Sequence, residues 1–290
     1  MKLAAIDIGS NAIRLQITNV LITKLGIKFK KVEYVRFPLR LGHDVFELGY
    51  ISEARKEKFY SLMRAYKILI DLYEVDDYMG CATSAMRDSE NGREIIKYVR
   101  DKIGLEIEII DGKKEAQLIN DAIFSYLDDK NYLHIDVGGG STELNFYTKN
   151  KKLYSESFPI GSVRSSKKYD IQERRNEMDA WINANKRKIK DKIIAVGTGG
   201  NINKLFELAG KTPGKLLSYR KIVEIRELIS NTSMEDRINE MELNPDRADV
   251  ILPAADIYLS VMKKASCVNI LVPDVGLKDG IMQYLFARNT

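Results

Sequence analysis

The 290-residue chain carries a net charge of +5, with 44% hydrophobic and 30% charged residues, a composition that excludes a mainly disordered chain and predicts one large or two medium domains. No apolar stretch approaches the roughly 18 residues of a membrane helix, and the first ten residues leave no room for a secretory signal, so we expect a cytoplasmic protein without a membrane partner. Two histidines exclude a zinc site built from three histidines of this chain, and the scattered lysines fit an acidic partner without any motif for nucleic acid.

The first half of the chain is predicted to contain three strands and then alternating helices and strands. Apolar alternation predicts the strands over residues 2–8, 12–20 and 27–35. Apolar residues at helical spacing predict a long helix from Ser52. The remaining predicted elements are a strand at 75–82, a helix at 89–103, a strand at 105–110 and a helix at 114–126.

The second half repeats this order after a short polar link at 128–131. Its predicted strands are 132–137, 142–148, 153–158, 193–196 and 269–272, and its predicted helices are 170–189, 200–209, 219–230, 247–264 and 279–287. The repeat extends to individual residues, because the segment 7–15 (DIGSNAIRL) aligns without gaps on 136–144 (DVGGGSTEL). A duplication of this length predicts two similar α/β domains, 1–127 and 128–278, the first completed by the helix within 279–290, with ligands bound in a cleft between them.

Each half carries a strand that ends in an aspartate and turns on glycine. Glycine removes the Cβ that would keep a ligand from the backbone, and successive N–H groups form an anion-binding concavity. The candidate phosphate-binding residues are Ser10 and Asn11 in the first turn and Gly138, Gly139, Gly140 and Ser141 in the second. A third turn, 196–200 (VGTGG), precedes a helix N-terminus, which is itself an anion site, although turn and capping roles explain it equally well.

The strand-terminal acids Asp7 and Asp136 predict a metal site. A carboxylate at the end of an apolar strand is costly unless it is compensated. Mg²⁺ prefers oxygen ligands and phosphate substrates, and Glu143 lies close enough in sequence to join the two aspartates. Neither the P-loop nor the dinucleotide-binding glycine pattern occurs, so those mechanisms are unsupported.

Several segments, taken in order, carry a resemblance to a known family. They are DIGSNAIRL (7–15), ATSAMRDSENG (82–92), IIDGKKEAQLI (109–119), IDVGGGSTEL (135–144), GSVR (161–164), VGTGG (196–200) and GLKDG (276–280). In this order they resemble the exopolyphosphatase and guanosine pentaphosphate phosphatase (Ppx/GppA) family, within the actin-like, sugar kinase and Hsp70 superfamily. The resemblance covers nearly the whole chain. It implies an α/β fold with two duplicated actin-like (ribonuclease H-like) domains and an interdomain cleft.

The resemblance also implies roles for individual residues. Water would attack a terminal phosphorus with metal assistance, and Glu115 would be the general base. Arg87 would neutralise charge on the transferred phosphoryl group. The implied metal-site acids fall on Asp136 and Glu143, and the implied phosphate ligands fall on Ser10, Asn11, Arg87 and Gly138 to Ser141, with Arg14 and Arg247 as looser candidates for a polyanion or nucleotide.

Two departures from the family pattern lie beside the expected base. Lys114 replaces an acid and Gln117 replaces an arginine. Lys114 would either lower the pKa of Glu115 and weaken it as a base, or hold an incoming phosphate. We expect the chain to lack the helical domains that longer members append, and therefore do not predict processivity on long substrates.

Three functions are compatible with these residues. The leading hypothesis is a Mg²⁺-dependent hydrolase of inorganic polyphosphate or guanosine pentaphosphate. The alternatives are an actin-like kinase, for which no acceptor-side aspartate is evident, and a sensor that binds polyphosphate or guanosine tetraphosphate without hydrolysis. A homodimer is an expectation from the resemblance alone.

Overall fold

Two hydrophobic cores divide the chain in the computed structural model, which describes residues 1–24, 26–149, 151–164 and 168–290. Unit 1 comprises Met1–Ala122 and Gly276–Thr290, and unit 2 comprises Ile123–Val275. Unit 1 therefore contains both ends of the chain, including the C-terminal helix.

Unit 1 is built on a five-stranded mixed sheet. Its strands are β1 (Lys2–Ile8), β2 (Ile13–Thr23), β3 (Gly26–Phe37), β4 (Asp77–Ala82) and β5 (Ile107–Ile109), in the spatial order β3-β2-β1-β4-β5. The first three are antiparallel, and β1, β4 and β5 are parallel. The parallel strands end at the edge where the first glycine turn lies.

The long helices of unit 1 lie close to their predicted positions, and its short helices depart from the prediction. They are α1 (Leu41–Leu48), α2 (Glu53–Leu72), α3 (Ser84–Asp88), α4 (Gly92–Tyr98) and α5 (Gly112–Phe124), the last crossing into unit 2. The prediction of a helix at 89–103 is wrong at its start, because non-helical residues separate α3 from α4. Gly92 is required there, since a Cβ on it would lie 2.1 Å from the carbonyl oxygen of Met86. A π-helical turn, Val99–Ile103, completes α4.

Unit 2 repeats the sheet of unit 1 and adds one edge strand. Its strands are β6 (Asn131–Val137), β7 (Thr142–Thr148), β8 (Lys151–Phe158), β9 (Ile193–Thr198), β10 (Leu216–Ser218) and β11 (Asn269–Leu271), in the order β10-β11-β9-β6-β7-β8. Read from β8, this order and its strand directions reproduce β3-β2-β1-β4-β5. The predicted duplication and α/β class are confirmed.

The helices of unit 2 pack around the core that this sheet forms. They are α6 (Lys168–Lys186), α7 (Gly200–Leu208), α8 (Tyr219–Ser230), α9 (Met234–Asn239), α10 (Pro245–Ala248) and α11 (Ile251–Ala265), and the last helix of the chain is α12 (Leu277–Arg288). The predicted helix at 247–264 is two helices, with a break at Asp249 and Val250. Across the described residues, no helix combines the length and the apolarity that crossing a bilayer requires.

Candidate active site

The hairpin of unit 1 contains an internal ion pair. The Gly9 N–H donates to the Ala12 carbonyl oxygen over 3.2 Å and closes the turn. The strand register places Asp7 opposite Arg14, and Nη1 of Arg14 lies 2.8 Å from Oδ2 of Asp7. Burial lowers the pKa of the Arg14 guanidinium, but attraction to Asp7 and hydrogen bonding outweigh burial and raise it overall. The charge of Asp7 is thus compensated within unit 1, and the metal role of Asp7 and the phosphate role of Arg14 stay predictions.

The hairpin of unit 2 has the same backbone and a different pair of side chains. The Gly138 N–H donates to the Ser141 carbonyl oxygen over 2.9 Å. Here the register places Asp136 opposite Glu143, so two carboxylates project from the same face of the sheet. Glu143 is only 2% exposed and accepts a hydrogen bond from the Ser157 hydroxyl over 2.8 Å. Acids directly opposite one another repel.

The GSVR segment (161–164) donates hydrogen bonds to the carbonyl oxygens of the glycine turn in unit 2. The N–H groups of Ser162 and Val163 donate to the carbonyl oxygens of Gly138 and Gly139, over 3.0 and 2.8 Å, and Nε of Arg164 donates to the Gly140 carbonyl oxygen over 2.7 Å. Gly161 permits this contact, because a Cβ on it would lie 2.3 Å from the Gly139 carbonyl oxygen.

The carbonyl side of the turn is therefore occupied, whereas the N–H groups of Gly139 and Gly140 bond to no acceptor among the described residues. That arrangement suits a phosphate-binding loop. The first turn is fastened in the same way, by Gly42 N–H to the Ser10 carbonyl oxygen (2.8 Å) and Arg40 N–H to that of Asn11 (3.0 Å).

The third glycine turn packs against the second within unit 2. Gly199 has a φ of 106°, and a Cβ on it would lie 3.1 Å from Oδ1 of Asp136. A Cβ on Gly200 would lie 2.9 Å from the guanidinium of Arg247, so this arginine lies over the N-terminus of α7. Asp136, the two glycine turns and Arg247 thus meet at one end of the unit 2 sheet.

A buried polar row lies behind these turns. Asn145 Nδ2 donates to His134 Nδ1 over 3.1 Å, so the proton of the neutral ring is on Nε2, which lies 2.8 Å from the Thr198 hydroxyl. Burial, with a smaller contribution from Lys152, lowers the pKa of His134 to about 3. The ring is therefore a neutral structural link between β7, β6 and β9.

The candidate residues of unit 1 lie on three elements. Arg87 lies in the last turn of α3 and donates through Nη1 to the Ile110 carbonyl oxygen over 3.0 Å. The Ser10 hydroxyl lies 3.0 Å from that of Ser84. Glu115 lies in the first turn of α5, which Asp111 caps by accepting the Lys114 N–H over 2.8 Å.

Lys114 forms an ion pair with Glu108, and its predicted effect on Glu115 or on an incoming phosphate stays a prediction. Its Nζ lies 2.6 Å from both carboxylate oxygens of Glu108. This hydrogen bond raises the pKa of Lys114. The lysine is thus engaged with an acid on β5.

Several functional candidates lie outside the predicted set. They are Tyr258, Thr198, His134, Gly161 and Arg164, which shape the turns of unit 2. GSVR belonged to a resembling segment but had no assigned role, and Tyr258 lies in an apolar helix where a core position is the ordinary interpretation. Among the described residues, no cluster of three or more histidine, cysteine or acidic side chains could hold a metal.

The repeated sheet topology and paired glycine turns define a two-domain α/β protein of the actin-like class. A family model described as the Ppx/GppA phosphatase family matches residues 20–288, and the chain belongs to that family. The crystal structure of an Aquifex aeolicus Ppx/GppA family member is 28% identical, with a TM-score of 0.78, over 100% of this chain and 99% of that one.

Two curated relatives are similar over most of the chain. A bifunctional 3-dehydroquinate synthase/phosphatase of Fusobacterium nucleatum is 30% identical over 89% of this chain, which spans 43% of that relative's length. Exopolyphosphatase 1 of Mycobacterium tuberculosis is 23% identical over 97% of this chain and 87% of its own length.

Proposed function

We propose that the chain is a phosphoanhydride hydrolase that releases terminal orthophosphate from inorganic polyphosphate. The observation that carries the proposal is the unit 2 hairpin, where two carboxylates face each other beside a glycine turn whose N–H groups are available to an anion. The family membership and the relative with exopolyphosphatase activity in its name support the same reaction. Polyphosphate is the preferred substrate because charge and backbone donors are enough to bind it.

The residues present fit Mg²⁺. This ion is usually held by one or two carboxylates and by substrate phosphate oxygens, and Asp136 and Glu143 supply that number. A bound Mg²⁺ would supply positive charge to the phosphate oxygens of the substrate.

The chain's own residues would bind the substrate phosphates and accept the proton of the attacking water. The N–H groups of Gly139 and Gly140, with the Ser141 hydroxyl, would bind phosphate oxygens in unit 2, and Arg247 would add charge there. In unit 1, Ser10, Asn11 and Arg87 would bind phosphate. Glu115 would accept the proton of the attacking water.

Phosphate release by the purified protein tests this proposal. Wild type, Glu115→Gln and Asp121→Asn would be incubated with Mg²⁺ and either long-chain polyphosphate or guanosine pentaphosphate. Asp121 is an exposed acid on the same helix and serves as the matched control. Loss of the general base should reduce phosphate release by about 10²- to 10⁴-fold, and the control should retain it.

The other outcomes identify the alternatives. Release only from guanosine pentaphosphate would change the proposed substrate and leave the proposed hydrolysis unchanged. Unchanged release by Glu115→Gln would refute the general base. Tight binding of guanosine tetraphosphate without any turnover would favour the sensor, and ATP-dependent phosphorylation of a metabolite would favour the kinase. The cytoplasmic location and the homodimer stay predictions.

A further inference from the structure

Tyr258 joins the two glycine turns of unit 2 through its hydroxyl group. The side chain projects from α11 and is fully buried. Its hydroxyl accepts a hydrogen bond from the Val137 N–H over 3.3 Å and donates one to the Thr198 carbonyl oxygen. Val137 is the last residue of β6 and Thr198 the last residue of β9, so both partners immediately precede a glycine turn.

The Tyr258 hydroxyl extends the hydrogen bonding between β6 and β9 beyond their last backbone pair. Strands β6 and β9 run in parallel, and their register ends at Asp136 opposite Thr198. Past this pair the strands lead into separate turns. The Tyr258 hydroxyl takes the donor from one strand and the acceptor from the other, which satisfies two backbone groups that would be costly to bury unpaired.

The Tyr258 hydroxyl and the carboxylate of Asp136 both lie close to Gly199. A Cβ on Gly199 would lie 3.1 Å from Oδ1 of Asp136 and 3.7 Å from the Tyr258 hydroxyl oxygen. Glycine at 199 therefore allows the aspartate, the tyrosine and the third turn to converge. Burial and the negative charges of Asp136 and Glu143 raise the pKa of Tyr258 well above its ordinary value, so the hydroxyl remains a donor.

We propose that Tyr258 is a positioning residue that sets the separation of the two glycine turns and holds Asp136 between them. Its place in the reaction rests on the proposed function, whereas its effect on the turns does not. Removing the hydroxyl would leave the ring in the core but free the two strand ends to separate. Displacements of this kind cost catalysis heavily even when the displaced group remains present.

The test compares Tyr258→Phe with Tyr132→Phe. Tyr132 is a matched control, because it is also buried, also belongs to unit 2, and its hydroxyl donates to Asp128 at the opposite end of β6. Urea unfolding would show whether the two variants lose similar stability. Hydrogen exchange at the Val137 amide and calorimetric binding of inorganic phosphate would report on the turns without any turnover, and kcat and the half-saturating Mg²⁺ concentration would report on the reaction.

We expect faster exchange at Val137 and weaker phosphate binding in Tyr258→Phe only. We also expect its kcat to fall about tenfold and its half-saturating Mg²⁺ concentration to rise. A merely structural loss would reduce the active fraction and leave the Mg²⁺ requirement and the phosphate affinity unchanged.

Two results separate this proposal from the proposed function. If the wild type releases no phosphate, the hydrolase fails, and the exchange and phosphate-binding measurements still decide the role of Tyr258. If Tyr258→Phe matches Tyr132→Phe in Val137 exchange, or in phosphate affinity and kcat, the positioning role is wrong.

Discussion

The glycine-turn hairpins of unit 1 and unit 2 have the same backbone pairing and differ in charge at one position. In unit 1, Asp7 is the penultimate residue of β1, lies opposite Arg14 and forms an ion pair with it. In unit 2, Asp136 is the penultimate residue of β6 and lies opposite Glu143, at the position that corresponds to Arg14. Within the paired strands, one hairpin thus places an acid opposite an arginine, and the other places two acids opposite one another. The contrast supports placing the proposed cation in unit 2.

The next pair on the same face of each hairpin also differs in its side chains. Unit 1 has Ala5 opposite Gln16, and unit 2 has His134 opposite Asn145. In unit 2 this pair belongs to the buried polar row that reaches Thr198 beside the third glycine turn. The duplication has therefore kept the scaffold in both halves, whereas the polar side chains behind the turns differ: unit 2 has the His134 row, and unit 1 has hydrogen bonds from the Thr83 hydroxyl to the Ile8 carbonyl oxygen and between the Ser10 and Ser84 hydroxyls.

The largest expected effect follows from removing the second acid of unit 2. Glu143→Gln keeps the shape and the Ser157 hydrogen bond but leaves a single carboxylate in the pair. We expect phosphate release to fall on the order of 10²- to 10³-fold and the half-saturating Mg²⁺ concentration to rise, because charge aimed at the phosphoryl group is lost. Mg²⁺ titrations of phosphate release measure both quantities.

Glu156→Gln is the control for this change, because Glu156 lies exposed on the neighbouring strand β8. It should behave as wild type. An unchanged Mg²⁺ requirement in Glu143→Gln would show that the charge contrast between the hairpins has no part in metal binding.

A smaller effect, on stability, is expected when the cation of unit 1 is removed. Arg14→Met leaves Asp7, which is 8% exposed, without its ion-pair partner. We expect the free energy of unfolding to fall by about 2 kcal/mol, because a poorly hydrated carboxylate loses its charged donor. Urea unfolding, with hydrogen exchange of β1 and β2 peptides to localise the loss, measures it.

The double variant Asp7→Asn/Arg14→Met should recover most of that loss, because it removes both charges together. Equal stability of the single and double variants would mean that the ion pair contributes nothing, and unit 1 would then need another explanation for its arginine.

The duplication and the hairpins were predictable from the sequence for a local reason. An apolar strand, a strand-terminal aspartate and a glycine turn are close together in the chain, so their geometry follows from residues within about ten positions. Once the hairpin is assumed, its register also pairs Asp7 with Arg14, which identifies the missed ion pair without a structure.

The remaining features depend on contacts between distant segments or on very short elements. The helix α3 has five residues and β10 has three, too few for a periodic pattern. Tyr258 meets Val137 across 121 positions, and Arg164 meets Gly140 across 24. Neither residue carries a local signal for that contact, so only packing reveals it.

The last expected effect, which accumulates with each pH unit, concerns the buried His134, whose counterpart in unit 1 is an alanine. Its pKa is about 3 in the folded protein because of burial, against an ordinary value of 6.5. Between these values the unfolded chain binds a proton that the folded chain does not, so the free energy of unfolding falls as pH decreases. The contribution is fully present above about pH 6.5 and is lost progressively toward pH 3, by about 1.4 kcal/mol per pH unit.

His134→Gln retains hydrogen-bonding groups but cannot titrate, so its unfolding free energy should depend less steeply on pH between 6.5 and 4.5, whatever its value at pH 7. Urea titrations of both proteins at several pH values give the two slopes. Parallel slopes would mean that the folded protein accepts a proton at His134 in this range. Because Lys152 already disfavours a positive charge there, such a result would require the polar row to open, and it would remove this difference between the two hairpins.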